Sequence, residues 1–191
     1  MSLSKSMSEA RADNALACLQ KANDQDYIGE AVTQLDHALQ CAFHAERARA
    51  EDSDIIAALF HDVGHWVDPS APQMAGLGVV SHEQLGADWL SDQGFSDDVS
   101  TLVAEHVSAK RYLCFRYPKY LESLSDASRG TLEWQGGPMS AAEASAYENS
   151  PLFKRILALR AWDERAKDPN AEVPGLSHYR AMIVAHLDNQ S

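Results

Sequence analysis

An all-α fold is what this sequence predicts, and three observations carry the prediction. Apolar residues recur with the helical period, strand-like alternation is nearly absent, and the breaks between periodic segments fall at proline and glycine clusters. Helices are expected at about 8–21, 26–49, 53–65, 82–92, 97–110, 117–126, 140–147, 151–166 and 177–188. No repeat, low-complexity segment or linker divides them. One domain over residues 1–191 is therefore expected, with its functional core at about 27–166.

The elements carry their own signals in order. The first helix holds Cys18 in an apolar stretch. The second brings Tyr27, Glu30 and His37 to nearly one face, because steps of three and seven residues both approximate whole turns. On the third, His61 and His65 stand at i,i+4, with Asp62 about 100° round from His61. The run from Asp68-Pro69 to Gly78 breaks the chain after it. Ser81 before His82-Glu83-Gln84 reads as a capping box opening the fourth helix. His106 and Lys110 are i,i+4 on the fifth helix. After the sixth, Gly136-Gly137-Pro138 marks a loop, and Ser140 before Ala141-Ala142-Glu143 caps the seventh. Arg160 and Asp163 are i,i+3 on the eighth, and Pro169 with Pro174-Gly175 brackets the loop before the ninth. Each polar pair interrupts an otherwise apolar helix, as side chains do when they line a buried pocket.

Composition narrows the function classes. With 45% hydrophobic and 23% charged residues the chain is an ordinary globular sequence, long enough to bury a sizeable core. A formal charge of −12, from 16 basic against 28 acidic residues, repels nucleic acid and anionic membranes, so neither is expected as a partner. Cys18, Cys41 and Cys114 are odd in number and lie in apolar stretches, and read as small core residues in a reducing compartment. No apolar leader and no run of about 18 apolar residues is present, so a soluble, cytoplasmic protein is expected.

Chemistry concentrates in one spread-out set: His37, the doublet His61-Asp62, His82, His106 and Asp163. Four imidazoles and two carboxylates can hold two metal ions if the helices converge. Two cations would also reverse the local charge and admit a small anionic substrate. His44, His178 and His186 have no partner at useful spacing and read as structural or solvated.

This ordered set resembles the HD-domain superfamily, all-helical metal enzymes named for such a doublet. The resemblance implies that His37, His61, Asp62 and Asp163 hold one metal. It implies that Asp62, His82 and His106 hold a second, with Asp62 bridging. Imidazole and carboxylate ligands without cysteine suit iron or manganese and not a structural zinc. Most relatives of this kind are phosphohydrolases. A smaller branch uses a mixed-valent Fe(II)/Fe(III) pair to activate dioxygen. Tyr27 and Glu30 before His37, Lys110 after His106, Ser125-Asp126-Ala127-Ser128-Arg129, Glu133 to Met139, and Arg160-Ala161-Trp162-Asp163 are similar to the phosphonate-cleaving members of that branch.

That similarity, from about Tyr27 to His178, implies oxidative cleavage of 2-amino-1-hydroxyethylphosphonate and dioxygen to glycine and phosphate. A companion hydroxylase would supply the hydroxylated substrate. Lys110, Arg160, His65 and Ser128 (or its neighbour Ser125) would hold the phosphonate. Glu30 would pair with the ammonium, and Tyr27 would occupy the first iron until substrate arrives. The residues leave plainer readings open. Lys110 can be a solvated helix residue, Tyr27 and Glu30 can belong to a helix start, and Arg160 can pair with Asp163 or Glu164 on its own helix. Rival functions are the same chemistry on the trimethylammonium analogue or, more distantly, on an inositol. An HD phosphohydrolase acting on a nucleotide and a non-catalytic HD module are the others.

Overall fold

Capping chemistry decides where several helices begin. Ser6, Thr33 and Ser140 each accept a bond from the backbone N–H three residues on. Glu9, Asp36 and Glu143 return the bond to the cap's own N–H, closing three capping boxes. The computed structural model describes residues 6–24, 26–27 and 29–190. Among them the helices are α1 (Met7–Gln20), α2 (Gln34–Arg47), α3 (Asp52–Phe60), α4 (Gly64–Val67), α5 (His82–Asp92) and α6 (Asp97–Arg116). They continue with α7 (Pro118–Ser123), α8 (Asp126–Trp134), α9 (Ala141–Tyr147), α10 (Phe153–Arg165) and α11 (Leu176–Asp188). The only β pairing among the described residues is two isolated bridges, Asp26 with Thr33 and Gln73 with Val79. No described helix is long and apolar enough to cross a membrane.

The chain is all-α. α2, α3, α6 and α10 pack on one another around Leu39, Ile55, Ile56, Leu59, Phe60, Leu102, Ile156 and Leu159. α5 lies along α6 and against α4, while α1 and α11 pair beside α3. Each fully buried side chain of this size contributes roughly 1.5–3 kcal/mol, and the resulting frame is rigid where the polar residues enter it.

Four expectations differ from what is found. The helix expected over 26–49 starts only at Gln34: Tyr27 N–H bonds the Val32 carbonyl, Glu30 N–H bonds the Tyr27 carbonyl, and Gly29 sits at φ 78°. Tyr27 and Glu30 therefore stand on a tight loop ahead of α2, and the Thr33–Asp36 box sets the true start. The helix expected over 53–65 tightens at the doublet. Val63, His65 and Trp66 bond three residues back, to Phe60, Asp62 and Val63, in the 3-10 manner. Ser81 caps nothing, because at φ 55° its backbone is left-handed and its side chain cannot reach the first-turn N–H groups. Finally, α8 occupies a stretch to which no helix was assigned. Its N-cap Ser125 accepts from Ser128 N–H, but Gly130 and a single buried residue, Leu132, weaken the apolar pattern.

One contact fixes the junction of α4 and α5. A Cβ on Gly64 would sit 1.9 Å from the His82 carbonyl oxygen and 2.8 Å from Gly86 N, both backbone. Gly64→Ala must push α5 away, and with it His82 at the first position of that helix. Overpacking of this kind costs about 1–3 kcal/mol, which for a chain of this size lowers Tm by roughly 2–12 °C. A thermal melt within about 1 °C of wild type would show that the junction yields without strain.

Candidate metal centre

Buried polar groups are expensive unless they are partnered. Of the polar and charged residues buried in this protein, eight meet in one place: His37, His61, Asp62, His82, His106, Lys110, Arg160 and Asp163. α2 delivers His37, the turn that follows α3 delivers His61 and Asp62, and the first residue of α5 is His82. The middle of α6 supplies His106 and Lys110, and α10 supplies Arg160 and Asp163.

The histidine tautomers follow from their backbone partners. Nδ1–H of His37 donates to the Ala166 carbonyl at 2.8 Å and that of His61 to Ala58 at 2.8 Å. His82 donates to Val79 at 3.3 Å and His106 to Val103 at 2.7 Å. In the neutral ring each Nε2 therefore carries a lone pair. Yet Nε2 of His37 and Nε2 of His61 are 3.1 Å apart, and those of His82 and His106 are 3.2 Å apart. Lone pairs facing at that distance need a proton or a metal ion between them.

Asp62 stands between the two imidazole pairs and gives each one oxygen. Its Oδ2 lies 3.4 Å from His61 Nε2 and 3.8 Å from His37 Nε2. Its Oδ1 lies 3.4 Å from His82 Nε2 and 3.5 Å from His106 Nε2. His37, His61 and Asp62 form one group able to hold an ion, and Asp62, His82 and His106 form another. Asp163 Oδ1 is 3.3 Å from His37 Nε2 and is a buried oxygen with no hydrogen bond, while Arg160 holds Oδ2. An unsatisfied buried carboxylate oxygen beside the first group is what a metal ligand looks like without its metal. The donor set fits two hard-to-borderline cations, and the fit is on both sides of Asp62.

Electrostatics agree. Burial opposes charge on Asp62, but the surrounding imidazoles of His61, His106 and His82 hold its carboxyl well below the usual range. Burial likewise opposes charge on Asp163, and Arg160 overrides it. Both carboxylates are ionised and available.

A cavity of about 80 Å³ is lined by Asp62, His82 and His106 of the second group and by Asp163 beside the first. Tyr27, Glu30, His65, Lys110, Ser128 and Arg160 all line it, as do Thr131 and Gln135. The Tyr27 ring stacks on His37 at 3.9 Å and 17°, covering the first group. Burial and the carboxylates of Asp163 and Asp62 push its phenol well above the usual range. His65 stacks on His82 at 4.1 Å and accepts Val79 N–H on Nδ1, which places its proton on Nε2. Burial, with His82 next in weight, lowers its pKa to about 3, so the ring is a neutral donor. Lys110 is buried, donates to Thr131 Oγ1 at 2.8 Å, and burial brings its pKa down to about 8. Arg160 donates from Nε to the Tyr120 hydroxyl at 2.9 Å and also reaches Asp163 and Glu164. It has one partner per nitrogen and two N–H groups to spare. Glu30 is bonded by Lys167 Nζ at 2.9 Å.

Several residues escaped the sequence reading. Thr131 and Gln135 follow Ser128, which the sequence did point to, at i+3 and i+7 on α8 and its C-cap, a stretch to which no helix was assigned. Lys167 carried no signal at all. His44, His178 and His186 line no part of the cavity; His178 bonds Glu46 and His186 accepts Ser96 N–H.

A family model described as HD domain matches residues 35–159. The chain is 37% identical to the hydroxymethylphosphonate dioxygenase of Gimesia maris over 99% of this chain and 94% of that protein. It is 39% identical to the [1-hydroxy-2-(trimethylamino)ethyl]phosphonate dioxygenase (glycine-betaine-forming) of Leisingera caerulea, over 86% of this chain and 84% of the relative. An uncharacterized protein of Acanthamoeba polyphaga mimivirus is 38% identical over 87% of this chain and 77% of its own length. A helical frame, a His-Asp doublet bridging two ligand groups, and relatives along nearly the whole sequence agree, and this chain belongs to the HD-domain family.

Proposed function

We propose that the protein is a dinuclear-iron dioxygenase that cleaves the carbon–phosphorus bond of a small 1-hydroxyalkylphosphonate. The observation that supports this most is the cavity's composition. Two buried cations, Lys110 and Arg160, line the same small space as Asp62, His82 and His106. One substrate and one dioxygen give a carboxylic acid and inorganic phosphate, with atoms balanced. Two of the three relatives named above act, by their names, on a hydroxyphosphonate.

In this reading His37, His61, Asp62 and Asp163 hold one iron, and Asp62, His82 and His106 hold the other. A mixed-valent pair bound there supplies the electron exchange and dioxygen activation that side chains cannot. The chain's own residues do the rest. Lys110, the spare N–H groups of Arg160, His65 Nε2–H and the Ser128 hydroxyl bind and orient the phosphonate oxygens. Tyr27 covers the first group and keeps it from solvent while the cavity is empty. Glu30 stands where the substrate's far end comes to lie. Hydroxylation at the carbon next to phosphorus is one route to a 1-hydroxyphosphonate, and in this reading a companion hydroxylase supplies it.

The decisive experiment loads the purified protein with iron and measures oxygen uptake and phosphate release together. Hydroxymethylphosphonate and 2-amino-1-hydroxyethylphosphonate should give the two in equal amounts. Phosphate from nucleotides or other esters, without oxygen uptake, would instead make the protein a hydrolase.

A pH dependence follows from Lys110. Only its ammonium binds the phosphonate, and its pKa stands at about 8 in the free protein. Cations on the neighbouring ligands would act in the same downward direction. kcat/KM should therefore fall tenfold per unit as pH rises beyond about 8. The fall in kcat should come at higher pH, since a bound dianion favours the charged lysine. A flat kcat/KM profile through pH 9 would remove Lys110 from substrate binding.

A further inference from the structure

Glu30 is not an open carboxylate. Lys167 Nζ lies 2.9 Å from its Oε1, and both side chains are largely shielded, with 18% and 20% of their surface exposed. The same ammonium lies 5.9 Å from the centre of the Tyr27 ring. Lys167 therefore contacts the two loop residues that border the cavity mouth.

Its position is built. Lys167 follows the C-terminus of α10, and α2 grips the chain on both sides of it. The Ala166 carbonyl accepts His37 Nδ1–H at 2.8 Å. Gln40 then clamps Asp168 at both its backbone groups, accepting Asp168 N–H at 3.0 Å and donating to the Asp168 carbonyl at 3.0 Å. Gln40 is a buried polar residue whose whole amide is spent on this clamp. The backbone of Lys167 is held between two anchors, and its ammonium is delivered to Glu30.

We infer that Lys167 is a specificity-determining residue. It supplies from within the protein the ammonium that Glu30 would otherwise take from a substrate, so the cavity favours a 1-hydroxyphosphonate without a cationic head. The inference rests on the phosphonate reading above and names the substrate class within it. An amino substrate that reaches Glu30 has to share its carboxylate with Lys167 or displace it, and in either case the two ammonium groups stand close together. Hydroxymethylphosphonate asks for no displacement, and the neutralised Glu30 does not repel its dianion.

The test compares kcat/KM for hydroxymethylphosphonate and 2-amino-1-hydroxyethylphosphonate in wild type, Lys167→Met and Lys167→Arg. Wild type should favour hydroxymethylphosphonate. Lys167→Met should shift the ratio toward the amino compound by about tenfold or more, as expected for exposing one carboxylate to a charge-assisted partner. Lys167→Arg should keep the wild-type ratio. A binding measurement on wild type stands apart from turnover and from the fate of any variant. Calorimetry should find n-propylphosphonate bound at least as tightly as its isostere 2-aminoethylphosphonate.

A lysine that merely pins the loop would change Tm and slow both substrates equally, and an unchanged ratio in Lys167→Met overturns the inference. So does tighter binding of 2-aminoethylphosphonate by wild type. Turnover of neither phosphonate by iron-loaded wild type overturns the phosphonate reading itself, and the inference with it.

Discussion

Asp62→Ala should leave the purified protein without either metal ion. The expectation follows from how one carboxylate is divided: Oδ2 faces His37 and His61, Oδ1 faces His82 and His106. Without it each group retains two imidazole lone pairs and loses its shared anion, and only the first group keeps a second carboxylate, Asp163. Two cations would then face each other across a space with no negative charge between them, in surroundings that screen poorly. Iron analysis should fall from two ions per chain toward none, and oxygen uptake should fall to background. His82→Ala gives the contrast, because it touches only the second group and should leave the first ion in place. Since ions that bind only the folded chain stabilise it by mass action, added iron should raise the Tm of wild type and leave that of Asp62→Ala unmoved. Two irons retained in Asp62→Ala would refute the bridge.

Lys110→Met should lower kcat/KM by about 10–150-fold, the equivalent of one charge-assisted hydrogen bond at roughly 1.5–3 kcal/mol. Methionine keeps the length and apolar stem, so the cavity wall stays filled. Stability should move the other way. Burial depresses the lysine's pKa to about 8, which means that the fold is strained by holding the charge. Removing that charge costs only the bond to Thr131, whose hydroxyl still donates to the Ser128 carbonyl at 3.1 Å. A variant that melts no lower than wild type while losing most of its activity is the signature of a residue kept for binding. Equal losses of stability and activity would make Lys110 a structural residue of α6.

Much of this was legible before any coordinates, and the reason is chemical type more than spacing. Imidazoles and carboxylates are poor core residues, so their recurrence on apolar helices at His37, His61, Asp62, His82, His106 and Asp163 needed a common cause, and these donors do converge. Helix type was equally readable, since the 3.6-residue period runs through α2 and α5.

The misreadings also have physical reasons. Tyr27, Glu30 and His37 are spaced like a helical face, but Gly29 takes a left-handed turn and the Thr33–Asp36 box outweighs the pattern. Ser81 has the residues of a capping box without the backbone angle that lets one form. Along α8 the cavity is lined by small polar side chains, which mimic a loop. Lys167 was invisible because its partner Glu30 lies 137 positions away, and only folding brings the two together.

Anomalous diffraction at the iron edge, from crystals of iron-loaded protein, reaches the central claim directly. Two peaks are expected, one against His37, His61 and Asp163 and one against His82 and His106, with an Asp62 oxygen on each. A single peak, or iron bound away from Asp62, would contradict the dinuclear centre and the oxygen chemistry built on it.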